Sequence, residues 1–548
     1  SWSLSSGVLP NNLILSASGL LSGTPVASGS YPITVRATDG NLCFGEKAYT
    51  LQIGACPTIS ITPNGPNALP NGLINTGYNR TLTASGGTPG YNFTVSAGLP
   101  GGMSLSSAGV LSGAPNVVGS FNFTVTATDQ AGCTGTQAYT LIVSGNGLMF
   151  YPLTNPVRLL DTRGLDASPN ACTVNGNQPI AANTSLLQMA RGICGIPANA
   201  QAITGNVTTV ASGGGYLTLY PTGAARPTVA SINYNPNEIV NNVFTVGLGA
   251  ADGKFNIYAL NTTDTIIDVT GYYAPPAAGG LYFHPLPAPV RLLETRSGLT
   301  PPVVGCVQPG APLAGNADSL QTATTACTGI PAAARAIVGN ATTVSPQGGG
   351  YLTLFPADAA RPLIASSNYD TGQIINGPFT TGLSAAGQFK VFTYATTDLV
   401  IDVLGYYSDE AVDANGAGLL FTPLARPVRL LETRNVLGFP GCFKPNAPLN
   451  GNQVYTQSAR GTCDGLTIPA SALGVVGNAT TVSPQGGGYL TLWPSTAAQP
   501  TVATLNYNTG EIVNRHFIVG LGNADGSFKM FSYATTDLVI DLTGYFAP

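Results

Sequence analysis

Short runs of alternating apolar and polar residues, separated by glycine-rich turns, extend along most of the chain. One run covers Gly205–Val210, and after a cluster of glycines a second covers Tyr216–Tyr220. Successive side chains of a strand point to opposite faces, so this pattern predicts two strands joined by a tight turn. No segment has a convincing helical period. The sequence therefore predicts an all-β fold.

This strand–turn–strand motif occurs three times, beginning at Gly205, Gly339 and Gly477, within repeats that cover residues 148–275, 281–408 and 419–548. Each repeat predicts eight or nine short strands. Because a repeat is longer than a propeller blade, we expect a jelly-roll-like or similar β-sandwich. Linkers at residues 274–280 and 408–418 are rich in small residues and proline, which predicts that the repeats are separate beads on a line.

Residues 1–53 and 54–144 are two copies of a different unit. Gly19–Pro25 matches Gly109–Pro115, and Tyr31–Asp39 matches Phe121–Asp129. Period-two alternation with turn signals every roughly 8–12 residues is typical of a β-sandwich. The predicted fold is thus a tandem of five β-sandwich domains, of which the first is incomplete.

The first unit has no counterpart of residues 58–90, which hold the first strands of the second unit. Two explanations stay open. The sequence is a fragment of a longer protein, or a neighbouring subunit supplies the missing strand by β-augmentation.

Charged residues make up only 8% of the 548 residues, and the formal net charge is −4. No basic surface for nucleic acid is expected from this balance. No apolar run is long enough to predict a membrane span. The chain has five lysines, which normally discourage exposed strand edges from pairing, so its surface favours self-association.

The nine cysteines predict four disulfides. One pair, 21 or 22 residues apart, recurs in each repeat, which indicates an oxidising and hence extracellular compartment. Zinc is the alternative, but a structural zinc site needs four clustered ligands and no histidine accompanies these pairs. Cys43 is left unpaired. The predicted pairs are Cys56 with Cys133, Cys172 with Cys194, Cys306 with Cys327, and Cys442 with Cys463.

Charged residues recur inside otherwise apolar strands. Two carboxylates across a cleft could hydrolyse a glycoside. Three identical active sites on short-looped repeats would be unusual, however, so we expect structural arginine–carboxylate pairs. These are Asp161 with Arg163, Glu294 with Arg296, and Glu432 with Arg434, and a second strand of each repeat adds Asp268, Asp402 and Asp541.

The two histidines, His284 and His516, stand where the other repeats have different residues. A histidine-dependent site common to the repeats is therefore excluded. We expect no catalytic residues, no cofactor and no metal, and predict that the protein is not an enzyme.

Aromatic residues offer the best alternative to a purely structural role. In each copy of the motif two aromatic side chains share the strand face opposite the leucines, where they could stack on sugar rings. The competing interpretation is that this face packs on the second sheet or on a neighbouring repeat. The residues are Tyr216, Tyr220, Tyr351, Phe355, Tyr489 and Trp493.

The first two units resemble the immunoglobulin-like modules of bacterial secreted and surface proteins, through the Leu-Ser-Gly-x-Pro turn and the Val-x-Ala-Thr-Asp strand. The three repeats resemble repeats of secreted bacterial proteins with Asp/Glu-Thr-Arg and Gly-Tyr-Leu-Thr-x-aromatic-Pro signatures. Both resemblances imply an extracellular location, and neither supplies a functional site.

Together these features predict an extracellular structural or adhesive protein of a bacterial cell surface, such as a stalk, surface-layer or filament subunit. Self-association into a fibre is the expected partnership, with strand addition at the incomplete first domain as one route. The alternative is a carbohydrate-binding array, attached to a larger secreted protein, that binds polysaccharide.

Overall fold

The computed structural model describes residues 1–25, 27–66, 68–74, 76–117, 119–144, 147–163, 171–174, 178–211, 213–299, 305–362, 364–435 and 441–548. The secondary-structure elements of these ranges are all β-strands. The predicted all-β fold of tandem β-sandwiches is confirmed. The chain forms two compact units, residues 1–145 and 146–548.

The first unit contains two modules, which we call module 1 (residues 1–53) and module 2 (residues 54–144). The strands of module 1 are β1 (Trp2–Gly7), β2 (Leu13–Leu15), β3 (Leu21–Gly23), β4 (Gly29–Thr38) and β5 (Phe44–Ile53). Those of module 2 are β6 (Ser60–Thr62), β7 (Gly72–Leu73), β8 (Tyr78–Thr81), β9 (Thr83–Ser85), β10 (Asn92–Val95), β11 (Met103–Leu105), β12 (Val110–Gly113), β13 (Gly119–Thr128) and β14 (Thr134–Ser144).

Module 2 is a sandwich with its own core. Its main sheet has the strand order β10-β13-β14-β7, and a second sheet has the order β11-β12-β8. Alternate residues of β13 and β14 are buried between the sheets, and Val125, Tyr139 and Leu141 among them are at most 1% exposed. This is the period-two burial that the sequence predicts.

Module 1 has an open core. Its sheet has the order β1-β4-β5, and β5 pairs only with β4, whereas the equivalent β14 also pairs with β7 in parallel. Tyr49 is 50% exposed, while its counterpart Tyr139 in module 2 is 1% exposed. Trp2 lies on the same face of the sheet as Tyr49, because their partners Ala37 and Ile33 are four residues apart on β4, and it is 46% exposed. An apolar face of module 1 therefore lacks a cover among the described residues.

The second unit holds the three repeats. Repeat 1 contains β15 (Met149–Asp161), β16 (Ala171–Val174), β17 (Thr184–Met189), β18 (Ala202–Ala211), β19 (Gly215–Pro221), β20 (Ile232–Tyr234), β21 (Ile239–Gly247), β22 (Lys254–Ala259) and β23 (Thr263–Ala274). Repeat 2 contains β24 (Tyr282–Glu294), β25 (Ala317–Thr322), β26 (Ala334–Val344), β27 (Gly350–Pro356), β28 (Ser367–Tyr369), β29 (Ile374–Gly382), β30 (Gln388–Thr393) and β31 (Asp398–Ser408). After β32 (Val412–Asp413) and β33 (Gly416–Ala417), repeat 3 contains β34 (Leu420–Glu432), β35 (Gln453–Ser458), β36 (Gly461–Cys463), β37 (Leu466–Ile468), β38 (Gly474–Val482), β39 (Gly488–Pro494), β40 (Leu505–Tyr507), β41 (Val513–Gly520), β42 (Ser527–Ser532) and β43 (Asp537–Ala547).

Each repeat is a sandwich of two sheets. One sheet, which we call the axial sheet, has the order β15-β23-β18-β21 in repeat 1, with β16 added at its edge. The other, the peripheral sheet, has the order β17-β22-β19-β20. Repeats 2 and 3 copy this order with β24-β31-β26-β29 and β25-β30-β27-β28, and with β34-β43-β38-β41 and β35-β42-β39-β40. Leu217 of the peripheral sheet and Val207 of the axial sheet are fully buried between the two.

The prediction that the repeats are separate beads is wrong. The edge strands of the three axial sheets, β21, β29 and β41, contact one another around a common pseudo-threefold axis. The first strands are also joined in a ring, because Leu148 bonds Phe421, Phe150 bonds Leu281, and Phe283 bonds Leu419 through backbone hydrogen bonds of 2.6–2.9 Å. The composition of the linkers could not predict this association. The repeats are held together by the axial sheets, whose second face is also buried.

The axis has two distinct ends. In repeat 1, Ala202 pairs with Gly247 at one end of the axial sheet, and Val210 pairs with Ile239 at the other. Ala202 belongs to an apolar cluster drawn from all three repeats, and we call this side the aromatic end. Ile239, Ile374 and Ile512 mark the opposite side, which we call the isoleucine end.

Candidate functional site

The four predicted disulfides are present, with Cα–Cα distances of 5.4–5.9 Å. Cys43 is free and exposed, as expected. Cysteines bonded in this way are not available as thiolate ligands for zinc, so their role is to stabilise the domains. The pairs are Cys56 with Cys133 in module 2, and Cys172 with Cys194, Cys306 with Cys327, and Cys442 with Cys463 in the three repeats.

The three repeat disulfides lie in different surroundings. Cys194 lies in a turn with a positive φ of 57° and is half-buried, and Cys327 lies in a turn and is exposed. Cys463 instead ends strand β36 and is 6% exposed. The reason is a short hairpin in repeat 3, where β36 pairs with β37. The surroundings of the disulfide therefore differ between repeat 3 and the other two, although all three bonds are as predicted.

The arginines of the Asp/Glu-Thr-Arg motif do not lie inside apolar strands, and this part of the prediction is wrong. The strands β15, β24 and β34 end at the acidic residue of the motif, and each arginine follows two positions later. The arginine side chains are 26–31% exposed, whereas their carboxylate partners are at most 5% exposed. A partly solvated guanidinium avoids much of the cost of burying a charge. The three residues are Arg163, Arg296 and Arg434.

The predicted pairs themselves are formed. Arg434 donates from Nε and from Nη2 to the two carboxylate oxygens of Glu432, both at 2.7 Å. Arg163 and Arg296 bind Asp161 and Glu294 in the same two-point manner. Each arginine therefore covers the solvent side of a buried carboxylate at the end of the strand.

These pairs belong to a larger network whose centre the sequence analysis missed. Arg158 bridges Asp161, at 3.4 Å, to Asp268, which its Nε contacts at 2.9 Å. The same place is occupied by Arg291, which joins Glu294 to Asp402, and by Arg429, which joins Glu432 to Asp541. The signal that could have revealed the network was the arginine of the Val-Arg-Leu-Leu strand.

The electrostatics of this network are those of a structural element. Burial alone would raise the pKa of Asp161, but the bonds from Arg163 outweigh it and hold that pKa below its ordinary value. Burial raises the pKa of Asp268, against the hydrogen bonds from Arg158. Both carboxylates are occupied by guanidinium groups, so neither is free to act as a nucleophile or as a general acid.

The threonine of the Asp/Glu-Thr-Arg motif completes the network. Thr162 is fully buried, donates to Asp264 at 2.8 Å and accepts from the backbone nitrogen of Thr265 at 2.8 Å. Thr295 and Thr433 make the same two contacts in their repeats. The motif therefore ties the end of the first strand to the last strand of each repeat.

The expected aromatic platform is not an open face. Tyr220, Phe355 and Trp493 are 7%, 1% and 1% exposed, and the Nε1 of Trp493 donates to the carbonyl of Ala497 at 3.1 Å. These three rings cannot stack on a sugar. The alternation correctly placed these rings on the face opposite the leucines, but that face is covered as well.

The first aromatic residue of each pair is half-buried and contacts other rings. Tyr216 lies 6.0 Å from Tyr258. Tyr351 stacks on Tyr394 at 5.6 Å, and Tyr489 on Tyr533 at 5.7 Å. Tyr394 and Tyr533 are 50% and 51% exposed, so two stacked tyrosine pairs remain accessible at the surface.

His284 packs in a buried cluster of repeat 2. Its ring stacks on Tyr406 at 5.0 Å, and its Nδ1 lies 3.4 Å from a carboxylate oxygen of Asp413, which also accepts from the Tyr406 hydroxyl. Burial lowers the pKa of His284. Because Asp413 lies in the linker between repeats 2 and 3, the cluster fixes that linker against repeat 2.

Six aromatic rings surround the axis at the aromatic end. Phe150 contacts Tyr407 at 4.3 Å, Tyr273 contacts Phe421 at 4.3 Å, and Phe283 contacts Phe546 at 4.4 Å, and each pair joins two different repeats. The hydroxyls of Tyr273 and Tyr407 hydrogen-bond each other at 2.8 Å. Burial raises the pKa of both tyrosines well above the ordinary value.

Asparagine side chains join the repeats further along the axis. Asn241 donates to the carbonyl of Ser366 in repeat 2 at 2.7 Å. Its equivalents continue in the same direction: Asn376 donates to Ala503 of repeat 3 at 3.3 Å, and Asn514 to Ala230 of repeat 1 at 3.3 Å. The common direction closes a ring of hydrogen bonds around the axis.

The described residues include no group of three or more His, Cys, Asp or Glu side chains placed to hold a metal ion. In the same residues no helix has the length and apolar character that a membrane span would need.

A family model described as “Putative Ig domain” matches residues 1–54 and 57–144. No curated protein sequence matches the chain. Solved structures with similarity to it include the M60 catalytic domain with the CBM51-1 and CBM51-2 domains of Clostridium perfringens ZmpB, at 9% identity and a TM-score of 0.14, over 95% of this chain and 49% of that one.

A second structure is Drosophila N-cadherin EC1-4, at 10% identity and a TM-score of 0.14, over 70% of this chain and 90% of that one. A third is a Bacteroides ovatus protein. This protein is SGBP-B of a mixed-linkage glucan utilization locus, in complex with a mixed-linkage heptasaccharide. It is 9% identical to this chain, over 89% of this chain and 98% of that one, with a TM-score of 0.13. The chain spans about half the length of the first of the three structures. Similarities this weak carry no argument about architecture or ligand.

The family match covers modules 1 and 2. With four disulfides in the same chain, these modules indicate an extracellular or surface location. The first quarter of the chain is thus a tandem of immunoglobulin-like modules, in an extracellular multidomain surface protein.

Proposed function

We propose that the protein is a structural or adhesive subunit of a bacterial cell surface, such as a stalk, surface-layer or filament subunit, and that it is not an enzyme. The groups that recur in all three repeats bond one another. The arginine–carboxylate networks, the asparagine ring and the aromatic cluster all hold strands or repeats together. This is what we expect of a protein with a structural role.

The observation that carries the assembly part of this proposal is the uncovered face of module 1. Strand β5 pairs with β4 alone among the described strands, and the exposed side chains of Tyr49 on β5 and Trp2 on β1 lie on the same face of this sheet. An incoming strand can bond to β5 as β7 bonds to β14 in module 2. Strand addition of this kind combines backbone hydrogen bonds with burial of alternate side chains.

Negative-stain microscopy of the purified chain tests this proposal, and regular filaments are expected. In a variant with a second copy of residues 57–90 fused ahead of Ser1, the added strands should cover module 1 within the same chain, and the protein should no longer assemble. A fusion of equal length made of Gly and Ser is the matched control and should still assemble. Filaments that persist in the self-complemented variant, or a chain that forms no assembly, would contradict strand addition.

Tryptophan fluorescence gives an independent measurement. The chain has two tryptophans, of which Trp493 is 1% exposed and Trp2 is 46% exposed. Covering module 1 should therefore shift the emission of Trp2 to shorter wavelength, both in the assembly and in the self-complemented variant. The Gly/Ser fusion should show no shift at a concentration below assembly.

Carbohydrate binding is the second candidate, and the accessible tyrosine pairs favour it. Tyr394 and Tyr533 present ring surface beside Tyr351 and Tyr489. Retention on an insoluble polysaccharide should fall when Tyr394→Ala and Tyr533→Ala are combined. Retention that is unaffected by the double substitution would exclude these pairs as the binding surface.

A further inference from the structure

A cavity of about 370 Å³ lies on the pseudo-threefold axis at the isoleucine end. Val240, Ile375 and Val513, which occupy the same register position in the three axial sheets, all line it. Its rim includes Ile374 and Ile512, which are 54% and 48% exposed. The cavity therefore opens to solvent and has the size of a site for a small molecule.

Most of the polar groups in this cavity are carboxamides. The side chains of Asn233 and Asn506, equivalent residues of repeats 1 and 3, are half-buried and hydrogen-bond no other described residue. Tyr489 and Tyr507 also line the cavity. Amide groups both donate and accept, so the wall suits a ligand with several hydroxyl groups.

Arg515 breaks the pseudo-threefold symmetry of the cavity. The equivalent residues of the other repeats are Asn242 and Gly377. Arg515 is 6% exposed, and it donates from Nε to the carbonyl of Asn376 at 2.6 Å and from Nη1 to the carbonyl of Asn514 at 3.0 Å. Among the described residues no carboxylate lies within ion-pair distance, and none accepts from Nη2.

Two carboxylates stand further out in the same cavity. Oε2 of Glu238 accepts from the backbone and side-chain nitrogens of Asn235 at 2.9 and 3.1 Å, and Glu511 is held in the same way by Asn508 at 2.8 and 3.1 Å. Burial lowers the pKa of Arg515, and only the more distant charges of Glu238 and Glu511 oppose that effect. The buried guanidinium therefore lacks a direct counter-ion among the described residues.

We propose that this axial cavity binds the uronic acid residue of an acidic sugar. The carboxylate of the sugar would pair with the free nitrogen of Arg515, and its hydroxyls would bond the carboxamides of Asn233 and Asn506. The oxygens of Glu238 and Glu511 can accept hydrogen bonds from hydroxyl groups of the sugar. This inference goes beyond the proposed structural role and does not depend on it.

Isothermal titration calorimetry of the full chain with D-glucuronate, D-glucose and N-acetylalanine tests the site. Glucuronate should bind with a dissociation constant of the order of 1 mM, and glucose at least about tenfold more weakly, because it has no carboxylate. N-acetylalanine represents the carboxyl terminus of a peptide. Equal binding of glucose, tighter binding of N-acetylalanine, or no binding of glucuronate would each overturn the proposal.

Two substitutions locate the binding. Arg515→Gln should weaken glucuronate binding at least about tenfold, while Arg361→Gln, at a 43%-exposed arginine of repeat 2, should leave it unchanged. Circular dichroism shows whether each variant is folded. If Arg515→Gln does not fold, Asn506→Ala decides the same question: weaker glucuronate binding supports the site, and unchanged binding in a folded variant rejects it.

Discussion

An arginine at one position of each repeat connects carboxylates that lie on different strands. Arg429 is 7% exposed and joins Glu432 on its own strand to Asp541 on the last strand of repeat 3. A buried ion pair gives little net stability compared with an apolar pair, but the removal of one partner leaves an uncompensated charge. The position is therefore sensitive to substitution on either side.

Asp541→Asn should destabilise the chain by about 3 kcal/mol, because Arg429 then loses the carboxylate that accepts from its Nε. Asp464→Asn is the control, since Asp464 pairs with Arg426 at the surface, where their side chains are 45% and 30% exposed. That change should cost less than about 1 kcal/mol. Urea unfolding at neutral pH measures both, and equal effects would contradict a structural role for the buried network.

His516 predicts a specific pH dependence. Burial lowers the pKa of this side chain to about 3, from 6.5. The unfolded chain therefore takes up a proton at His516 as the pH falls below 6.5, whereas the folded chain does so only near pH 3. The stability contributed by the neutral histidine is complete above pH 6.5 and decreases between these two values.

His516→Val, which introduces the residue found at the equivalent Val243, should remove this contribution. Between pH 7 and pH 5 the wild-type chain should lose about 2 kcal/mol more stability than the variant. All other titrating groups are common to both proteins, so the difference isolates His516. Parallel pH profiles from denaturant unfolding would show that the histidine does not remain neutral in the folded state.

At this scale the sequence predicted the pairs of Asp161 with Arg163, Glu294 with Arg296, and Glu432 with Arg434, because residues two positions apart point to the same side of an extended chain. It did not predict that the strand ends before the arginine, since an Asp/Glu-Thr-Arg segment carries no turn residue. Arg158 was missed as the bridge to Asp268. These two residues are 110 positions apart, and only the pairing of β15 with β23 brings them together.

Individual strands illustrate what alternation can and cannot predict. In β39 the period-two pattern correctly placed Leu490 and Leu492 in the core, at 0% and 2% exposure. It also placed Tyr489 and Trp493 on the opposite face. The pattern does not say whether that face is open, and the turn that follows β39 covers Trp493, whose indole bonds Ala497.

Trp493→Ala should accordingly act on stability, not on ligand binding. Truncation of a buried tryptophan leaves a cavity and is expected to cost about 3–5 kcal/mol. Tyr533→Ala, at a 51%-exposed ring of the same repeat, should cost less than about 1 kcal/mol. Thermal unfolding followed by circular dichroism compares the two, and a folded Trp493→Ala protein of wild-type stability would contradict the buried position.

The sequence of the axial strands also indicates that the repeats associate, and the prediction from linker composition did not take this into account. Nearly all residues of β18, from Ala202 to Ala211, are buried, on both faces of the sheet. A strand with small, apolar and threonine residues on both faces, as in Gly205–Val210, indicates that each face is covered. One such strand in each repeat could have predicted that the repeats associate.

At the scale of the whole molecule, the described residues of 146–548 form apolar cores that are linked to one another. Each repeat has a core between its two sheets, and a further cluster at the aromatic end takes residues from all three. The first strand of each repeat is bonded to those of the other two. Loss of one repeat would therefore expose apolar surface on both of its neighbours.

Residues 146–548 should consequently unfold in a single cooperative transition. Differential scanning calorimetry should give a van't Hoff enthalpy close to the calorimetric enthalpy for this unit. Phe421→Ala, which removes a ring that contacts Tyr273 of repeat 1 and Phe546 of repeat 3, should lower the temperature of the whole transition. Three transitions, of which only one shifts, would show that the repeats are independent.

Because all three repeats belong to one covalent chain, the residues at equivalent positions can differ between them. In a homotrimer every subunit carries the same residue at a given position, so an arginine on the axis would be faced by two more at close range. Here Arg515 shares its level of the axis with Asn242 and Gly377. Dilution cannot separate the three repeats, and each can acquire its own side chains at the shared centre without imposing them on the other two.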